Sequence, residues 1–437
     1  ATTKKKKFQF PKYPRLPDSI VIPISVTVSK LYTAALPPNT AKKIYRKSKS
    51  DFKSHHKHIP HLYYKKEKTM KKQNISFLRG AGFPIPAGAP SASQLGEKII
   101  EFGEKITKKK IHRHSITYDP LEFFLMAAVE FYNAKNEFNY EEFYDFIYEL
   151  PDDNSFIDFL SDYFAKYKLL EKVNHEYILQ YFLDLFEYYQ WWIFHCLYSN
   201  DNVNNADKYS GFFNLIKSHS SDNLYLHTLN HDLLLENFSS KGFLPPLDDG
   251  FFNNDQYSCT DMECREWIPC PYFANKYSSN IRIYKLHGSL NYFNTFTENE
   301  NGAYTPNSIV KAQTPYKDII FFDNIKQDSP PTFNPNFLTG KQYKESNYYN
   351  NMLYTDLFHH FDSNLTISDK LIIIGYSGND EGINRHILTS FDLRKPCYII
   401  DPFPGEKIIA LKQNFSNATL IKCSISDFTP ENIGLQI

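Results

Sequence analysis

The sequence predicts an α/β protein: a Rossmann-like, mostly parallel sheet with a large helical insertion and a basic N-terminal arm. Three observations carry this expectation. Short apolar runs recur between helical stretches, and several end at glycine, asparagine, histidine or aspartate. Residues 119–199 read as helices alone, with no glycine before Gly211. The chain has 437 residues with 49 Lys+Arg and 49 Asp+Glu, yet residues 1–72 hold 19 of the basic and only 3 of the acidic side chains. A basic arm of +16 therefore precedes an acidic body of −16.

Composition excludes several classes. Hydrophobic residues make up 42%, charged residues 22% and aromatics 16%, which suits a globular chain with a large core and excludes wholesale disorder. The length fits an α/β body over 73–437, interrupted by a helical insertion over 115–218. The most apolar helical stretch, Tyr188 to Tyr198, falls short of the roughly 20 residues a bilayer requires. No membrane association is expected. Lys4 to Lys7 ahead of residues 20–28 outline a secretory signal, but Asp18, Pro23, Ser25 and Thr27 and a strand-like alternation oppose that reading. Six cysteines fall short of a disulfide scaffold, so a cytoplasmic location is expected.

Prolines at 11, 14, 17, 23, 37 and 38 break any long helix in the arm, and residues 20–28 could pair as an edge strand. The arm is either a solvated tail or a surface for nucleic acid or an acidic partner. Residues 75–78 read as a buried strand, followed by Gly80-Ala81-Gly82, Gly88, Pro90 and a helix over 91–108. In the insertion, Asp119 and Pro120 open one helix, Asn139 with Glu142 a second and Asn154 a third; a longer one covers 170–197. The α/β pattern resumes with a strand over 224–228 and a helix from Asp232. Residues 240–280 read as irregular, 281–286 as a strand, and 291–340 as loops and small strands. Strands over 371–374, 397–400 and 419–424 follow, with a helix through 383–388. A parallel sheet places its ligand site at the strand C-termini.

Four features lie at those strand ends. Gly80-Ala81-Gly82 can turn tightly and present backbone N–H groups to a pyrophosphate. Thr228-Leu229-Asn230-His231-Asp232 reads as a helix cap or a polar site, and Lys285-Leu286-His287-Gly288-Ser289 carries one histidine. Gly375-Tyr376-Ser377-Gly378-Asn379-Asp380 is a polar turn. Each alone is weak; their order and shared placement make the combination strong.

The run FLRGAGFPIPAGAP resembles the first motif of the sirtuin-like family, and TLNHDLLLE its asparagine motif. KLHGS resembles the catalytic-histidine motif, and LIIIGYSGNDEGIN the late Gly-x-Ser motif of bacterial sirtuin-like anti-phage defence proteins. The resemblance spans about residues 73–405, apart from the insertion. Two departures separate the chain from protein deacetylases. Only Cys397 and Cys423 follow His287, without the deacetylases' four-cysteine zinc module, and Ala89-Pro90-Ser91-Ala92-Ser93 replaces their Asp-Phe-Arg continuation. Within the motifs, Pro84 stands where Ser or Ala is common, and His231 where Tyr or Ile is common.

The resemblance implies an NAD hydrolase that cleaves the nicotinamide–ribose bond, with NAD as substrate and no metal. It implies catalytic roles for Asn230, holding the attacking water or the ribose, and His287, contacting a ribose hydroxyl and accepting a proton. Gly80, Ala81, Gly82, Phe83, Pro90, Thr228, Asp232, Gly375 and Ser377 would line the cofactor site. Asp401 is a candidate for the adenosine ribose by general dinucleotide-site logic. The implied role is an NAD-depleting effector of anti-phage defence, assembled as a homo-oligomer or paired with a helicase-like ATPase or an Argonaute-type protein. The alternatives are an NAD-dependent protein deacylase or ADP-ribosyltransferase, or a non-catalytic NAD or ADP-ribose sensor whose basic arm binds nucleic acid.

Other features admit plainer readings. Cys259, Cys264 and Cys270 are buried free thiols or, at a spacing that fits no standard ribbon, zinc ligands. His55, His56, His58 and His61 cluster without a rigid scaffold. Trp191, Trp192 and Phe194 pack the insertion or an oligomer interface.

Overall fold

A computed structural model of the chain describes residues 72–111, 120–150, 154–166, 178–198, 203–261, 268–298, 304–312, 319–323, 335–340 and 352–433. The chain divides after Lys68, and all described residues belong to the second unit, Thr69–Ile437. Nearly all of the expected basic arm, with its 20–28 strand and its histidines, lies outside the described residues, as do Asp119 and Cys264.

Six strands form one parallel sheet: β1 (Asn74–Arg79), β2 (Asn223–Thr228), β5 (Ile281–Lys285), β9 (Lys370–Ile374), β10 (Cys397–Ile400) and β11 (Ala418–Ile421). Their spatial order is β11-β10-β9-β1-β2-β5. Numbered by appearance within this sheet, that order reads 3-2-1-4-5-6 from the β5 edge, the doubly wound arrangement whose direction reverses between β1 and β9. The sequence-predicted fold class is therefore the observed one.

The strands form because their apolar residues serve both faces at once. In β9, Leu371 and Ile373 pack on one face, while Ile372 and Ile374 pack on the other. Three helices cover the first face: α8 (Met352–Ile367), α9 (Glu381–Ser390) and α10 (Glu406–Gln413). The second is covered by α6 (Ser210–Ser218) and α7 (Leu234–Ser240). Each such aliphatic side chain contributes about 1.5–3 kcal/mol on burial. Neither α8 nor α10 was expected from the sequence.

The insertion contains α2 (Pro120–Asn133), α3 (Tyr140–Glu149), α4 (Asn154–Lys166) and α5 (Ile178–Tyr198). Asn139 caps α3 as expected, accepting from the N–H groups of Glu141 and Glu142. Trp192 is fully buried in the insertion's own core, with Phe143, Phe156 and Tyr189. The helix after the glycine turn, α1 (Ala92–Ile111), opens on a capping box between Ser91 and Gln94. Its Leu95 and Ile99 join the insertion core, not that of the sheet. Gly103 permits that approach, since a Cβ there would lie 2.2 Å from the Trp192 ring. Within the β1–β2 crossover it is α6 that packs on the sheet, with Phe212 edge-on to Phe77 at 6.2 Å.

Residues 240–280, expected to be irregular, and 291–340, expected as loops and small strands, supply a second, antiparallel sheet. Its order is β6 (Tyr292–Glu298), β7 (Tyr304–Lys311), β4 (Ile268–Phe273), β3 (Phe251–Asp261), β8 (Ile319–Asp323). Pro269 and Pro271 inside β4 disguise it, because a proline removes a ladder donor. Cys259 of β3 and Cys270 of β4 form a disulfide. This corrects the free-thiol and zinc expectations for those two residues.

Candidate active site

The crevice at the switch point begins with three glycines. Gly80 donates its N–H to the Ile374 carbonyl at 3.0 Å, and Gly82 donates to the Gly375 carbonyl at 2.9 Å. The loops after β1 and β9 thus lie backbone against backbone. A Cβ on Gly80 would meet the Gly375 oxygen at 2.6 Å, and one on Gly375 would meet the Phe83 nitrogen at 2.6 Å. Gly375 also adopts φ 60°, which favours glycine.

This packing changes how the first loop could hold an anion. The N–H groups of Gly80, Gly82 and Phe83 all donate to protein carbonyls. Exposed Ala81 carries the remaining N–H of the turn. The expectation of a pyrophosphate cradle built from all three residues therefore narrows to Ala81. The Phe83 ring is fully buried between Tyr209 and Phe212, so it presents no face to a ligand. Tyr209 staples the turn from below: its hydroxyl donates to the Phe83 carbonyl at 2.8 Å and accepts from the Ala87 N–H at 3.1 Å. Pro90 lies beyond the one-turn helix Ile85–Ala87, at the entry to α1 and outside the glycine junction.

Asn230 follows β2 and is 9% exposed. Its Nδ2 donates to the Gly80 carbonyl at 2.9 Å, and its N–H donates to Thr228 Oγ1 at 3.0 Å. Thr228 is buried and also accepts from Arg79 Nε at 3.1 Å, so its hydroxyl organises the strand ends. Asp232 faces Arg79 Nη2 at 3.4 Å and accepts the Leu234 N–H at 2.9 Å, fixing the turn into α7.

Two buried cations missed by sequence reasoning lie beneath this turn. Arg79 closes β1 and stacks over the Phe83 ring at 4.7 Å. Lys285 closes β5, pairs with Glu236 at 3.0 Å and donates to the carbonyls of His231 and Asp232. Their signal was a charged residue at the last position of a strand, Arg79 in NISFLR and Lys285 in IRIYK.

His287 follows β5 and is buried, with 3% exposure. Its Nε2 lies 3.5 Å from the Oδ2 of Asp380, the residue that caps α9. His231 stands beside it, ring centroids 6.4 Å apart, and packs on Phe337 at 4.8 Å. Leu338 donates its N–H to the His287 carbonyl at 2.8 Å, which pins the histidine's backbone. Ser377 is exposed in the loop after β9. Asp401 follows β10 and is half-buried; burial raises its carboxyl pKa, while the Phe403 N–H it accepts opposes that shift.

The structure thus gathers Gly80, Gly82, Gly375, Asn230 and Asp232 around one junction and draws His287 to the loop after β9. Among the described residues, no three His, Cys, Asp or Glu side chains cluster as a metal site, and no helix is long and apolar enough to cross a membrane.

No protein-family profile and no curated protein matches the chain. Solved structures are similar over most of it. A Sir2 homolog–NAD complex is 12% identical, covering 82% of this chain and 88% of that one, with a TM-score of 0.35. A Sir2 complex with the inhibitor EX-527, 2'-O-acetyl-ADP-ribose and a deacetylated p53 peptide is 8% identical, covering 82% and 91%, with a TM-score of 0.31. Identities this low and superpositions this loose leave the site to be read from its own geometry.

Proposed function

We propose that this chain is a sirtuin-like NAD hydrolase that releases nicotinamide and leaves ADP-ribose or a cyclic form of it. The observation that carries the reading is the convergence of Asn230 and the glycine junction of residues 80, 82 and 375 at the β1/β9 switch point, where doubly wound sheets take dinucleotides. The ordered motifs of the sequence support the same substrate.

The chemistry suits these residues. Breaking the C1'–nitrogen bond sends its electron pair into the nicotinamide ring and neutralises that ring's positive charge, so no strong acid is required. The sugar becomes oxocarbenium-like, and a water oxygen bonds to C1'. In this reading Asn230 orients water or ribose beside the Gly80 carbonyl, and His287 takes the proton that water gives up. A placed base contributes about 10²–10⁴-fold. The Ala81 N–H and the loop over 376–379 would face the phosphates.

Unregulated NAD cleavage would poison its own cell, which motivates a controlled effector role in anti-phage defence. Homo-oligomerisation, or a helicase-like ATPase or Argonaute-type partner, would supply the control in a cytoplasmic setting. The +16 of residues 1–72 suits contact with nucleic acid or with the acidic body of a neighbouring subunit. The test incubates the full chain with NAD, alone and with DNA or extract of infected cells, and measures nicotinamide. Release in any of these arms supports hydrolysis. Acetyl-ADP-ribose formed from an acetylated peptide would point to a deacylase instead, and tight binding without turnover in every arm to a sensor.

A further inference from the structure

We propose that Asp380 is a positioning residue for His287, fixing its ring and its tautomer for the proton transfer; this rests on the NAD-cleaving reading above. Nε2 of His287 and Oδ2 of Asp380 are 3.5 Å apart, with side-chain exposures of 4% and 17%. The two residues leave the sheet from β5 and β9, which are separated by β2 and β1. At about 4.8 Å per strand, their roots are roughly 14 Å apart. Their loops must therefore converge above the ends of β1 and β2, where the glycine junction and Asn230 lie.

Both partners are held before they meet. Oδ1 of Asp380 accepts the Ile383 N–H at 3.0 Å. The Tyr376 hydroxyl donates to the Asp380 carbonyl at 2.9 Å, and Asn384 Nδ2 donates to the Gly378 carbonyl at 2.7 Å. On the other side, Gly288 sits at φ 79° with no room for a Cβ against the Asn336 carbonyl and the Tyr354 hydroxyl. One carboxylate oxygen is thus committed to the helix, and the other faces the imidazole. A neutral ring that donates Nε2–H to Asp380 has Nδ1 as its basic nitrogen. When that nitrogen takes the proton, the carboxylate offsets the new charge. At 3.5 Å the contact is longer than a formed charge-assisted hydrogen bond, and catalytic contacts of this kind tighten with substrate bound.

The plain alternative is that Asp380 only caps α9, and Asp380→Asn separates the two. Asparagine caps a helix as well as aspartate. Capping needs an oxygen toward the Ile383 N–H, which turns the amide nitrogen toward His287 and demands the opposite tautomer. The experiment uses the full chain labelled with ¹⁵N-histidine, with His287 signals assigned through their loss in His287→Gln. The expected result is Nε2–H in the native chain and Nδ1–H in Asp380→Asn. With it should come a fall in kcat of about 100-fold or more, while the melting temperature and ADP-ribose affinity hold. Native kcat and an unchanged tautomer in Asp380→Asn would overturn the proposal and leave NAD hydrolysis standing. If the native chain cleaves no NAD, the hydrolase reading falls, and Nδ1–H in the native spectrum would overturn the positioning separately.

Discussion

The carboxamide of Asn230 donates to the carbonyl of Gly80 at 2.9 Å, tying the end of β2 to the first glycine of the crevice. A side chain suited to holding water or ribose is thereby also part of the loop's support. Asn230→Asp should expose the difference between these roles. It keeps the shape but sets a carboxylate oxygen against a carbonyl, at a cost of roughly 1–3 kcal/mol. Nicotinamide release should fall at least as far as in Asn230→Ala, which removes the group without the repulsion. An Asn230→Asp protein with native turnover would show that this contact has no part in the site.

The glycine junction predicts an intolerant position. Gly375→Ala places a methyl group against the Phe83 nitrogen at a φ that side chains rarely adopt. Loss of ADP-ribose binding, measured by calorimetry, and a stability loss of roughly 2 kcal/mol or more are expected. Gly405→Ala, with nothing near its Cβ, is the control and should bind normally.

Lys285 and Glu236 predict a stability effect beneath the site. Lys285 has no exposed side chain and also donates to two carbonyls; Lys285→Ala strands Glu236 and the Asp232 carbonyl, while the His231 carbonyl keeps the Leu290 N–H. Chemical unfolding should show a loss of about 3–5 kcal/mol. Lys285→Met, which refills the volume, should lose less.

His227 predicts acid sensitivity. Its ring is buried against Tyr284 and Phe361, with Nδ1 donating to the Phe77 carbonyl at 3.0 Å and Nε2 accepting from Asn364 at 3.2 Å. Burial lowers its pKa to about 3. The unfolded chain binds that proton below about 6.5 and the native one does not, so stability is full above about 6.5 and drains as pH falls toward 3. The slope approaches 1.4 kcal/mol per pH unit for this one group. His227→Gln should flatten the dependence of unfolding free energy on pH between about 6 and 4.

Much of this arrangement was legible in the sequence because it is local. Buried parallel strands such as β9 are short aliphatic runs, and glycines at their ends mark close backbone approach. What stayed hidden depends on distant partners. Arg79 and Lys285 find their partners only in the fold, Asp232 in the turn after β2 and Glu236 in α7. Asp380 read as part of a polar turn, because its proximity to His287 exists only once loops from β5 and β9 converge. The prolines of β4 obscured the second sheet. The Cys259–Cys270 bond needs that sheet's register, in which Tyr257, two residues before Cys259, faces Cys270. The helix after Gly82 was foreseen, but not that its apolar face joins the insertion.

In the proposed hydrolase, Asn230 and His287 act on NAD at the β1/β9 crevice. The most direct measurement is nicotinamide release from NAD by the native chain, by Asn230→Ala and by His287→Ala, each shown to be folded by its melting temperature. The expected result is release by the native chain and a fall of about 100-fold or more in both variants. Undiminished release in both would contradict it.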